Sequence, residues 1–196
     1  MKNESTAFTE TDLQGFLDEM IDHDRLALAD RLQRASDRLA EYAPLVTAGH
    51  GQGGQGGASG AGSARPDAPR GDVPPQNDVW SAHEVLAHIV VLSKFYGVIF
   101  HKVSSGKMTE LDLLNNVGLR DAMDEQMAQI EPGELIRMAL DDHARTIKGL
   151  RAADAASMRR VVKVDRGETM TAEEVARLPL ISHLELHIDQ LMRALA

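Results

Sequence analysis

Apolar residues recur at mostly three- and four-residue spacing between about Thr11 and Tyr42, at Leu13, Phe16, Leu17, Met20, Leu28, Leu32 and Leu39. That period predicts a long first helix with one buried stripe, ended by Pro44 and Gly49. A second helix is predicted to begin near Trp80 and Ser81, after Asn77 and Asp78, and to run through Phe100 until Gly106 closes the region. It is apolar almost all round, which places it at the centre of the fold. A shorter helix is predicted over Glu110 to Ile130 from Leu111, Leu114, Val117, Met123 and Met127. Pro132 then opens another long helix to about Arg151, with the stripe Ile136, Leu140, His143, Ile147 and Leu150. Arg160 to Val164 alternates weakly and precedes Asp165-Arg166-Gly167, which predicts a small hairpin near 160–169. Thr171-Ala172-Glu173-Glu174 has the form of a capped helix start, and Pro179 is expected to break or restart that helix before a last one to Ala196. The sum is an all-α fold, a four-helix bundle with a long first crossover.

Residues 49–76 depart from this pattern. Eight of the fourteen residues from Gly49 to Gly62 are glycine, and prolines at 66, 69, 74 and 75 follow. Such a stretch buries too little apolar surface to offset its ordering entropy, so it is expected to be a disordered insertion. The residues before it read as one helix rather than a separate core, so 1–196 is expected to be a single domain.

Charge and composition narrow the chemistry. The net charge is -9, which argues against nucleic acid and anionic lipid as partners. There is no cysteine, so disulfides, thiolate ligands and a protein-borne thiol nucleophile are excluded. Metal chemistry must then use His, Asp or Glu. The polar N-terminal MKNESTAFTETD lacks an apolar leader segment, and the most apolar stretch, Val85 to Phe100, contains His88 and Lys94 and is too short to span a bilayer. A cytoplasmic protein without membrane contact is expected.

Eight histidines can be sorted on helical wheels. In the last helix, Leu180, Leu184, Ile188, Leu191 and Leu195 form the apolar stripe, opposite Ser182, Glu185, Asp189 and Arg193. His187 falls inside the stripe and His183 on its edge, four residues apart and close enough to hold one ion. His88 shares its sector with Glu84, Val91, Leu92, Phe95 and Ile99 and points into the interior, whereas His83, Lys94 and His101 share a more polar side. A buried imidazole is costly unless something uses its nitrogen. Together His88, His183 and His187 offer three neutral ligands from two helices, the number that leaves a metal ion open to water or substrate. Glu84, one turn before His88 in nearly the same sector, is the candidate for proton transfer or support of a ligand.

Other motifs fail on geometry. In His83-Glu84-Val85-Leu86-Ala87-His88 the two histidines are five apart and diverge, so the segment is not a zinc-protease site. Glu185 points away from His183 and His187 and cannot act as their base. The run Gly49-His50-Gly51-Gln52-Gly53-Gly54 has no strand before it and no helix after it, so it is not a nucleotide loop. His143 reads as a core or supporting residue and His23 as a weaker candidate still.

The segment Val79-Trp80-Ser81-Ala82-His83-Glu84-Val85-Leu86-Ala87-His88-Ile89 resembles the start of the second helix in the DinB-like and mycothiol-dependent maleylpyruvate isomerase N-terminal superfamily, with His88 at the position of a metal ligand. Leu180 to Leu191, with His183 and His187, is similar to that superfamily's last-helix signature. Leu114-Asn115-Asn116 and Met170 to Val175 resemble its connecting segments. The resemblance implies a four-helix-bundle metalloprotein, commonly a homodimer, holding a divalent ion on three side chains, with zinc or nickel the expected metal. Some members are transferases or isomerases that use a low-molecular-weight thiol. The isomerase branch often has Glu where this chain has His183, while the broader DinB-like branch has His. The expected function is therefore a metal-dependent transferase or isomerase acting on a small electrophile with a thiol such as mycothiol or bacillithiol. A metal-dependent hydrolase, or a non-catalytic stress-related binding module, is the alternative.

Overall fold

The computed structural model describes residues 10–47, 80–112 and 117–195. The Gly/Pro-rich stretch at 49–76, His50 and Leu114-Asn115-Asn116 lie outside the described residues. The fold is mostly helical, with one two-stranded sheet among the described residues.

Helix α1 spans Glu10–Thr47. Leu28, Leu32 and Leu39 of the anticipated stripe are buried with Ala29, Ala35 and Val46, whereas Leu17 and Met20 remain exposed. Pro44 does not end the helix as its chemistry suggests. It removes one backbone donor near the end, and burial of Val46 in the core holds the following turn in place.

Helix α2, Ala82–Ser104, starts at a capping box. Ser81 Oγ accepts from Glu84 N, and the Glu84 carboxylate accepts from Ser81 N at 2.7 Å. Gly106, at φ 73°, terminates the region in a conformation that side chains with a Cβ avoid. With 23 residues, α2 is long and apolar enough by length and composition to cross a membrane, longer than the stretch read from Val85 to Phe100. In the structure it lies centrally, packed against its neighbours with thirteen residues buried.

Helix α3 is Val117–Met127, shorter than the predicted 110–130. Glu110 and Leu111 are extended instead, because Leu111 N donates to Lys163 O and Lys163 N to Thr109 O, which adds a parallel bridge to the sheet edge. Helix α4, Pro132–Ala152, opens with proline in its first turn. It buries Ile136, His143, Ile147 and Leu150 as the periodicity requires, with Leu140 partly covered. A short α5, Ala155–Met158, leads to the expected hairpin: β1, Val161–Lys163, pairs antiparallel with β2, Thr169–Thr171. A Thr171/Glu174 capping box starts α6, Ala172–Val175. The backbone then widens into a π-helical segment, Ala176–Ser182, and continues into α7, His183–Leu195. Pro179 thus neither breaks nor restarts the helix. Its missing N–H and its ring are taken up inside the wider turn.

Helices α2 and α4 run in the same direction, with Ser93 opposite His143, Gly97 opposite Thr146 and Phe100 opposite Gly149. Gly97 permits their close approach: a Cβ there would meet Thr146 Oγ1 at 2.9 Å. Arg31 pairs with Glu185, and Arg38 with Asp189, so α1 and α7 also run together. The polar side of α7 is therefore tied to α1 while its apolar side, Leu184, Ile188 and Leu191, faces the core.

Candidate metal centre

The first half of α2 carries His88 and the first turns of α7 carry His183 and His187, and these two helices pack against each other. One ligating atom from each of the three imidazoles lies within 4.8 Å of the others. The ring centroids are 4.6 Å apart for His88 and His187, 4.7 Å for His183 and His187, and 5.9 Å for His88 and His183. All three predicted ligands are thus brought together. The π-helical segment ends where the pair begins, so its register sets the direction in which both histidines project from α7.

Hydrogen bonds fix which nitrogen the rings of His88 and His187 present. A carboxylate can only accept, so His88 Nδ1 carries the proton that it donates to Asp124 Oδ2 at 3.0 Å. His187 Nδ1 likewise donates to the amide oxygen of Gln190 at 2.9 Å. In both rings Nε2 is the atom left with its lone pair, and His88 Nε2 is buried with no hydrogen-bond partner among the described residues. A buried, basic nitrogen of this kind is costly unless a cation or a donor uses it. An imidazole whose other N–H is held by a carboxylate or carbonyl is the usual form of a metal-ligating histidine. The donor set therefore fits a divalent ion. Nitrogens around zinc sit about 3.3 Å apart, so modest ring rotations close the cluster onto one.

Trp80, just ahead of the α2 cap, walls one side of the site. Its ring lies nearly parallel to that of His187, at 6.0 Å and 12°, and meets His88 edge-on at 5.1 Å. The indole covers one side of the two imidazoles.

Glu84 has a different place from the one its wheel sector implies. It is exposed, and its carboxylate is engaged by Ser81 N and Oγ at 2.7 and 2.8 Å. Position at the third residue of the helix, rather than shared sector, decides its partner. Asp124 and Gln190 are the polar supports of the site. Neither was anticipated from the sequence, although the three-residue spacing of Gln190 from His187 was a signal for it. Asp124 comes from α3, and no spacing within α2 or α7 points to it.

The other described histidines stand apart from the cluster. His83 Nε2 lies 2.8 Å from Ile130 O, His101 is exposed, and His23 is exposed beside Asp24. His143 is buried between Ser36 and Ser93 as a core residue, and burial lowers its pKa to about 4. Glu185 is bound by Arg31, which agrees with its exclusion as a base.

The chain matches no family model, no curated protein and no solved structure. The chemistry of the site rests on its own geometry.

Proposed function

We propose that His88, His183 and His187 hold a divalent cation, zinc or nickel, and that the protein is a metal-dependent enzyme of DinB-like type that acts on a small electrophile with a low-molecular-weight thiol. The observation that carries this reading is the convergence of three imidazoles from two helices, two of them oriented through Nδ1 by Asp124 and Gln190. Imidazole ligands suit zinc, nickel and copper better than magnesium or calcium. The packing of α1, α2, α4 and α7, with α1 beside α7 and α2 beside α4 in matching directions, supports a four-helix bundle as the frame.

An ion held by three neutral ligands keeps its double positive charge and favours an anionic partner such as a small thiolate or hydroxide. The chain itself supplies no cysteine, so sulfur chemistry here requires a separate thiol molecule. Asp124 and Gln190 hold the rings of His88 and His187. Trp80 shields the rings from water on one side and offers an apolar surface to a substrate.

The test is metal stoichiometry followed by turnover. Protein stripped with chelator is titrated with zinc and with nickel, and then assayed against small electrophiles with and without added thiol. One equivalent of metal per chain and thiol-dependent conversion are expected, both lost together in His187→Ala with helicity retained. Turnover that needs metal but no thiol assigns hydrolysis instead. Equal metal binding by wild type and His187→Ala overturns the centre itself.

A further inference from the structure

A second feature lies on the opposite face of α2 from His88. Gly97 follows His88 by nine residues, which is half a turn round the helix and about 13 Å along it. Here α2 and α4 bound a cavity of about 510 Å³. Its floor is apolar, formed by Phe100, Val98 and the bare backbone at Gly97 and Gly149. Both glycines lie where the helices approach closely: a Cβ at Gly97 would meet Thr146 Oγ1 at 2.9 Å and one at Gly149 would touch Phe100 at 3.4 Å. A volume of this size with a mostly apolar lining is typical of small-molecule sites.

The rim has the opposite character. Lys94, His101, Lys102, Arg145 and Lys148 surround it, in a chain whose net charge is -9. Arg145 is paired with Asp142, whereas Lys94, Lys102 and Lys148 form no ion pair among the described residues. His101 and Lys102 lie in the last turn of α2, where the helix dipole alone favours cations. Lys94 and Lys148 have no such reason. They come from different helices and meet at one apolar groove.

We infer that the groove between α2 and α4 binds a single-chain amphipathic anion, an aliphatic chain seated on Phe100, Val98 and the two glycines with a carboxylate held by Lys94 and Lys148. An apolar floor with a cationic rim recognises both halves of such a molecule. Single-stranded nucleic acid would engage the rim through its phosphates but lay separate bases rather than a continuous aliphatic chain on the floor, so an oligonucleotide is the comparison ligand. The site is independent of the three histidines, which face the other side of α2.

The probe is dodecanoate below its micellar concentration, measured by calorimetry on the full chain, with dodecanol and a single-stranded twelve-mer oligonucleotide as comparisons. Saturable binding at one site is expected, at least tenfold tighter for dodecanoate than for dodecanol and at least tenfold weaker in Lys94→Glu/Lys148→Glu. Both lysines are exposed, so the double variant keeps its core, and its metal content is measured alongside as a check on the other face of α2. Dodecanoate binding should persist after chelation, so failure of the metal reading leaves this result untouched. Equal affinity for dodecanol, or no loss in the double variant, overturns the proposal. Binding of the oligonucleotide in preference to dodecanoate overturns it in favour of a nucleic-acid site.

Discussion

His143 Nε2 lies 2.8 Å from Ser93 Oγ, in the core between α2 and α4. Ser93 spends its own proton on Ile89 O at 2.7 Å, so the imidazole must donate through Nε2 and receive at Nδ1 from Ser36 Oγ. One neutral tautomer satisfies the whole chain of bonds.

That arrangement makes stability depend on pH. Burial lowers the pKa of His143 to about 4, against 6.5 for the unfolded chain. Between these values the unfolded state takes up a proton that the folded state refuses, so stability is complete above about pH 6.5 and falls as pH drops toward 4. The loss attributable to this residue between pH 7.5 and pH 5 is about 2 kcal/mol. Urea unfolding of wild type and His143→Gln at both pH values checks it: the variant should show a pH dependence smaller by that amount. Parallel pH profiles would show that His143 takes up its proton equally in both states.

Removing the carboxylate of Asp124 leaves the His88 ring without the acceptor that orients it. Asp124→Ala is expected to weaken zinc binding roughly ten- to a hundredfold while helicity stays unchanged. Competition against a chelator of known affinity measures this. An unchanged affinity would falsify the role given to Asp124.

Glu84 separates a cap from a catalyst. Because its carboxylate closes the Ser81 capping box, Glu84→Ala should cost about 1 kcal/mol of stability and leave metal content and turnover per folded molecule intact. Thermal unfolding and activity are to be measured on the same preparation. A variant of full stability with impaired turnover would return Glu84 to the site its wheel sector suggested.

The three histidines were legible in the sequence because His88 points into the interior from an apolar helix, His187 falls inside the apolar stripe of the last helix and His183 on its edge, where an imidazole needs a reason. Gln190 was not anticipated, although its three-residue spacing from His187 on one helix face was a usable signal. Asp124 had no such signal, since its approach to His88 depends on where α3 docks, a tertiary event that no periodicity encodes. The two prolines misled for the opposite reason: local chemistry predicts interruption at Pro44 and Pro179, but buried Val46 and the wider π turn carry the helices through. Net charge concealed the cationic groove, because Lys94 and Lys148 lie on helices fifty residues apart in sequence and meet only when α2 packs on α4. The hairpin was visible as weak alternation before Asp165-Arg166-Gly167, yet its bridge to Glu110 was not.

The histidine cluster also constrains the order of events as the chain is made. His88 is synthesised ninety-five residues before His183, and until the later residues leave the ribosome the growing polypeptide presents a single imidazole at that place. One such ligand competes poorly with free small molecules for an ion. The apolar contacts of α2 with the turns that follow residue 175 bring the three rings together, so no shared ion can be held before the last helix is made. An ion held by all three rings would act as a clasp that favours the finished fold by mass action.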